Sequence, residues 1–229
     1  MDNKFEDIDW FDKILTVSGT YLPEIRREVK ELINEYDLKH GGTKPHKYIA
    51  YAIGSKLIKN AAIKAGGIGG LTSIPATLPV VGTIGTVLIG SAVDLALVLR
   101  MQIELCYALS VAYDVNMDEE ELKAAALALV GFSGSAAAAK AVTAGVLRKT
   151  VDTLASDYIK TGLARAAAEV AEKLIPRLLS KWYKFIPLLG IPIGVSVNAA
   201  TTMMIGNQAR KYFSTWVDDD ELGRYESEL

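Results

Sequence analysis

"DLALVLRMQIELCYALSVAYDV", residues 94–115, decides the fold. It shows no alternation of polar and apolar positions, so it does not read as a strand, and its apolar residues surround a helix rather than lining one stripe. A helix that is apolar on all sides is buried. Its few polar groups have a spacing of their own. Asp94, Val98 and Gln102 recur at intervals of four and share one face, while Arg100 and Glu104 share another. Polar groups inside such a helix need partners. Asn198, on the last apolar helix, is the expected one. Asp94, Arg100, Gln102 and Asn198 are therefore a candidate polar cluster, either a clamp that fixes helix register or a group that orients a lipid head. Cys106, the one cysteine, excludes an internal disulfide and reads as a small buried hydrophobe.

Working outward, helices follow in both directions. Upstream, "AGGIGGLTSIPATLP" (residues 65–79) stacks four glycines and two prolines in fifteen residues and cannot be a regular helix. The long helix is expected to resume near Val80. Before that break lie an amphipathic piece over residues 5–17 with Trp10, Phe11 and Leu15, then a helix opened by Pro23 and stopped by Gly41 and Gly42. A helix from Pro45 to about Lys64 comes next. The stripe Ile25, Val29, Leu32 and Ile33 faces the core. Downstream, Asp118 caps "EEELKAAALALV", "GFSGS" breaks it, and helices are expected over about 135–151 and 153–184, the second kinked or broken before Pro176. "FIPLLGIPIG" is a second Pro/Gly break, and a last helix runs from about Val195 to Phe213. The expected fold is all-α, a multi-helix bundle with two Pro/Gly-broken apolar hairpin segments. Three units are expected: an N-terminal helical segment (1–42), a helical domain (43–215) and an acidic tail (216–229). "LPVVGTIG" and "IPLLGIPIG" echo each other, which suits two matched helical halves.

Charge is distributed in blocks. The net charge of −2 gives no reason to expect a nucleic-acid partner. Residues 38–93 contain no acid, only six lysines, whereas residues 94–123 carry seven acids against two bases. Residues 65–93 and 185–209 carry no charge at all. Each is long enough to span a bilayer if helical, yet neither is a clean spanning helix. Burial in a bundle, a hairpin dipping into one leaflet and true spanning are the three environments open to them. Lys173, Arg177, Lys181 and Lys184 line one helical face, with Trp182 and Tyr183 at its edge, as in a helix lying at a membrane surface. The acid-free block adds attraction to anionic lipid, of order 1 kcal/mol per basic residue. The polar, acidic opening does not read as a signal peptide, so the reducing cytoplasm is the expected location.

The segment from "GGIGGLTSIPATLPVVGTIG" through "DLALVLRMQIELCYALSVAYDV", with Pro75, Pro79, Asp94, Arg100 and Gln102, resembles the central signature of the EcsC family of bacterial proteins. "FIPLLGIPIGVSVNAATTMMIGNQARKYF" is similar to its C-terminal segment and to a related helical domain fused to bacterial GTPases. The resemblance covers roughly residues 45–130 and 175–213. It implies an α-helical, membrane-associated bacterial protein near an ABC-type exporter or another envelope process, and it brings no established catalytic residues.

Catalytic motifs are missing. "GFSGS" lacks the glycine two places after the serine that a nucleophile elbow needs, and "GGIGG" has no preceding strand and Thr72 where a dinucleotide loop has its third glycine. His40 and His46 make a weak metal pair, and "DIDWFD" lacks the glycine and final glutamate of a calcium loop. The expectation is a non-enzymatic protein without cofactor or metal, bound to an anionic membrane surface or lipid at the cytoplasmic face of the inner membrane. It would serve as accessory or scaffold to an envelope protein partner. The alternatives are a soluble bundle holding a lipid or another hydrophobic ligand and, last, a hydrolase with an unrecognised site.

Overall fold

The structure is a computed structural model, and it describes residues 14, 16, 18–67, 91–133, 143–179 and 197–217. The cores of both Pro/Gly-rich apolar segments (68–90 and 180–196), Trp10, Phe11, Leu15 and the tail from residue 218 onward lie outside the described residues. The described residues form an all-α bundle with no strand among them. Its helices are α1 (Leu22–Lys39), α2 (His46–Gly67), α3 (Ser91–Ala112), α4 (Glu119–Ser133), α5 (Ala144–Thr161), α6 (Leu163–Leu179) and α7 (Val197–Phe213), closed by a 3₁₀ turn at Ser214–Trp216. None of these helices is long and apolar enough to cross a membrane.

Local chemistry sets most of the boundaries. Pro23 occupies the first turn of α1, where its missing N–H costs nothing. The helix ends at His40, whose ring Nδ1–H donates to the Tyr36 carbonyl at 2.8 Å while the ring stacks on that tyrosine. The chain then turns through Gly41 and Gly42. Helix α4 begins with a reciprocal cap. The Glu121 N–H donates to Asp118 Oδ1 at 2.8 Å, and the Asp118 N–H donates to Glu121 Oε2 at 3.1 Å. Thr143 opens α5 by accepting the Val146 N–H.

One boundary differs from the sequence expectation. The break expected near residue 152 does not occur, and α5 continues to Thr161. Asp152, at the expected break, sits inside the helix, and its carboxylate has a tertiary partner: the Tyr212 hydroxyl donates to Oδ1 at 2.6 Å. The chain breaks instead at Gly162, whose φ of +88° lies in the region that side-chain-bearing residues avoid. Helix α6 then continues past Pro176 to Leu179.

Helices α3 and α4 form the centre. Leu99, Ile103, Cys106 and Leu109 of α3 and an unbroken buried run from Ala124 to Val130 of α4 are closed off from water on every side. Helices α1 and α2 pack on α3, and α5 and α6 pack on α4. Helix α7 touches α2, α3, α4 and α5 and ties the two groups together. Small side chains allow this close approach. A Cβ at Gly206 of α7 would stand 2.8 Å from Ile58 Cγ1 and 3.0 Å from Leu105 Cδ2, so only glycine lets α7 lie against α2 and α3 together. Ile25 and Val29 of α1 enter the same apolar cluster, with Leu32 and Ile33 packed at its edge. Each fully buried large aliphatic side chain of this kind contributes about 1.5–3 kcal/mol.

Candidate functional site

The polar groups of α3 are buried and matched. Arg100 Nε donates to Glu104 Oε1 at 2.6 Å, one turn along, and the two side chains are only 4% and 2% exposed. The Arg100 guanidinium also lies 4.7 Å from the centre of the Tyr21 ring, a desolvated cation–π contact. Gln102 reaches across to α7, where its Nε2–H donates to Thr202 Oγ1 at 3.3 Å. The residue that meets Gln102 is Thr202, one turn beyond the expected Asn198 on the same helix. Asn198 is half-buried near the start of α7, and its carbonyl accepts the Thr201 hydroxyl. Asp94 belongs to α3, but its side chain lies outside what is described.

Burial dominates the electrostatics of this region. It pushes the Glu104 carboxyl above the usual carboxylate range, with Arg100 and Lys64 pulling in the opposite direction. It lowers the Lys64 ammonium, which Glu28 and Glu104 partly restore. Burial also pushes the Cys106 thiol up to about 12, which removes it as a thiolate nucleophile near neutral pH. Among the described residues no group of three or more His, Cys, Asp or Glu could hold a metal ion.

Of the six residues expected at a membrane surface, Lys173 and Arg177 lie one turn apart on α6, and Lys181, Trp182, Tyr183 and Lys184 lie outside the described residues. The first half of α6 turns Ala166, Ala167 and Val170 into the core.

A second surface comes from α2 and α7, neither of which contains an acidic residue. Tyr51, Ser55, Lys59 and Ile63 follow at intervals of four along the outer side of α2, with Tyr48 beside them. Tyr51 is 56% and Ile63 52% exposed, unusual for large apolar side chains. Cations frame these rings. Lys44 Nζ stands 5.0 Å from the centre of Tyr48 and the Arg210 guanidinium 4.6 Å from that of Tyr51. Arg210 is held there by donating to Ser55 Oγ at 2.9 Å and Asn207 Oδ1 at 3.0 Å. The acid-free block is visible in the sequence. The exposure of its tyrosines is not, since Tyr107, Tyr113 and Tyr212 look the same and are buried.

Between α1, α2 and α3 the surface opens into a cleft of about 240 Å³. Buried Ile25, Val29, Ala61, Leu105 and Ala108 line it, and Glu28, Lys56, Asn60, Lys64 and Glu104 supply its polar groups. No family model matches the chain, and no curated protein or solved structure does so either.

Proposed function

We propose that this is a non-enzymatic helical protein that docks on an anionic membrane surface and acts there as an accessory or scaffold. The observation that carries the reading is the outer face of α2 and α7, helices without an acidic residue, where Lys44 and Arg210 lie over exposed Tyr48 and Tyr51 and Ile63 is exposed one turn after Lys59. Positive charge is drawn to anionic head groups, and amphipathic tyrosines suit the interfacial layer. The basic face expected on residues 173–184 would add a second contact. The resemblance to EcsC proteins supports placing the protein at the cytoplasmic face of a bacterial inner membrane, beside an exporter or another envelope complex.

Sedimentation with vesicles containing phosphatidylglycerol tests this, at low salt and at about 1 M, where the Debye length shrinks to about 3 Å. Binding at low salt and release at high salt is expected. Lys44→Gln with Lys59→Gln removes about 2 kcal/mol, roughly thirty-fold in affinity, at about 1 kcal/mol per charge. Charge reversal at Arg177 and Lys181 measures the contribution of the second face. A protein that ignores vesicles at low salt, or a double Gln variant that binds as the parent does, overturns the reading.

A further inference from the structure

The cleft between α1, α2 and α3 adjoins the docking face along α2, where Lys56 and Asn60 lie one turn from Lys59 and Ile63, but is built differently. Its apolar lining is mostly buried, and its charges are not evenly matched from end to end. Lys64 interacts with both Glu28 and Glu104, and Glu104 is held by Arg100, so this end is electrically compensated. Lys56, Asn60 and Lys64 follow at intervals of four and form one lip. Lys56 therefore stands about 12 Å along the helix from Lys64, at 1.5 Å per residue. Lys56 is exposed and makes no ion pair among the described residues, and the Asn60 amide beside it is exposed as well. One end thus carries an uncompensated positive charge with amide donors next to it. The other end is closed to a second anion by the Glu28 and Glu104 carboxylates.

The volume sets the size of an occupant. An apolar cavity of about 150 Å³ takes benzene, six carbons, so the 240 Å³ here accommodates about ten. We propose that the cleft binds a medium-chain carboxylate of about ten carbons, its chain along Val29, Ala61, Leu105 and Ala108 and its head at Lys56 and Asn60. The Lys56 ammonium is the counter-ion, and the Asn60 Nδ2–H donates to the carboxylate. This goes beyond docking on vesicles and does not depend on it.

Calorimetric titration of the full chain with straight-chain carboxylates from hexanoate to tetradecanoate, without vesicles, tests the proposal. Affinity is expected to rise about fourfold per added methylene up to decanoate, the factor for one buried CH₂, and then to level off once the floor is covered. Ala61→Leu fills the floor and is expected to weaken decanoate at least tenfold. Leu57→Trp, at a half-buried position of the wall, does the same should Ala61→Leu fail to fold. Lys56→Gln is expected to weaken decanoate severalfold and to leave neutral decanol unchanged. Absence of decanoate binding overturns the proposal. So does affinity that climbs on to tetradecanoate, the mark of unspecific adsorption, or decanoate binding unchanged in both filled-cleft variants. The Lys44→Gln, Lys59→Gln protein is expected to lose vesicles and keep decanoate, which separates failure of this site from failure of the docking face.

Discussion

Replacing Arg100 with methionine tests whether the ion pair at the centre of α3 is sealed from water. The substitution keeps most of the side-chain volume, takes away the guanidinium that holds the buried Glu104 carboxylate and leaves it the weaker attraction of Lys64. Glu104 loses the 2.6 Å hydrogen bond to the guanidinium, and Tyr21 loses its cation. Breaking one partner of a buried pair costs about 3–5 kcal/mol. The lost ring contact adds about 1 kcal/mol, offset in part by burial of the new thioether. A net loss near 4 kcal/mol lowers the melting temperature by about 8–16 °C in a chain of this size. The sign of the pH dependence follows from the raised Glu104 pKa. Between the unfolded value of 4.5 and the higher folded one, the native state holds more protons than the unfolded chain. The stability this group contributes is complete below 4.5 and is lost as pH rises through its folded pKa. Removing Arg100 raises that pKa further and extends the window upward, so the deficit of the variant is largest near neutrality and shrinks in mild acid. Glu104→Leu added to Arg100→Met removes the stranded charge and is expected to recover stability to within about 1 kcal/mol of the parent. Thermal unfolding followed by circular dichroism, near pH 7 and near pH 5, measures all of this. An Arg100→Met protein that melts within about 2 °C of the parent near neutrality, or whose deficit grows in acid, refutes the reasoning.

Other perturbations test the packing. Asp118→Ala removes the carboxylate that accepts the Glu121 N–H, while the backbone N–H at 118 still donates to Glu121; it is expected to cost about 1 kcal/mol in urea unfolding, with an unchanged midpoint counting against the cap. Gly206→Ala drives a methyl group onto Ile58 and Leu105 and is expected to cost about 1–3 kcal/mol. In an Ile58→Ala background the same change should be neutral or favourable, and equal costs in both backgrounds would show that the contact is not the cause. The buried Tyr107 hydroxyl has no hydrogen-bond partner among the described residues, so Tyr107→Phe is expected to leave stability unchanged or raise it. A loss above about 1 kcal/mol would reveal a bond.

Much of the bundle was legible because local signals and tertiary packing agree in it. Pro23, Gly41 and the Asp118 cap mark boundaries by backbone chemistry that needs no distant partner. The ladder of α3 separates its polar groups by helical periodicity alone. Legibility fails where a distant residue decides. The break expected near residue 152 does not occur, and Asp152 inside α5 has a partner in Tyr212, sixty positions away. Thr202 rather than Asn198 meets Gln102 because the contact depends on the rotation and height of α7, which the close approach at Gly206 sets. The cleft is harder still, since three helices line it and no single helix carries a pattern that announces it. Exposed and buried tyrosines differ in their neighbours, not in their sequence surroundings.

The anchoring of Arg210 has a thermodynamic consequence. A long cationic side chain on a surface ordinarily sacrifices rotamer freedom, about 0.5–1.5 kcal/mol, when a partner immobilises it. Here two hydrogen bonds and the Tyr51 ring have already fixed the guanidinium across two helices. That entropy was surrendered when the chain folded, so whatever meets this face meets a charge at a set position. The attraction it supplies reaches the encounter with little ordering cost left to deduct.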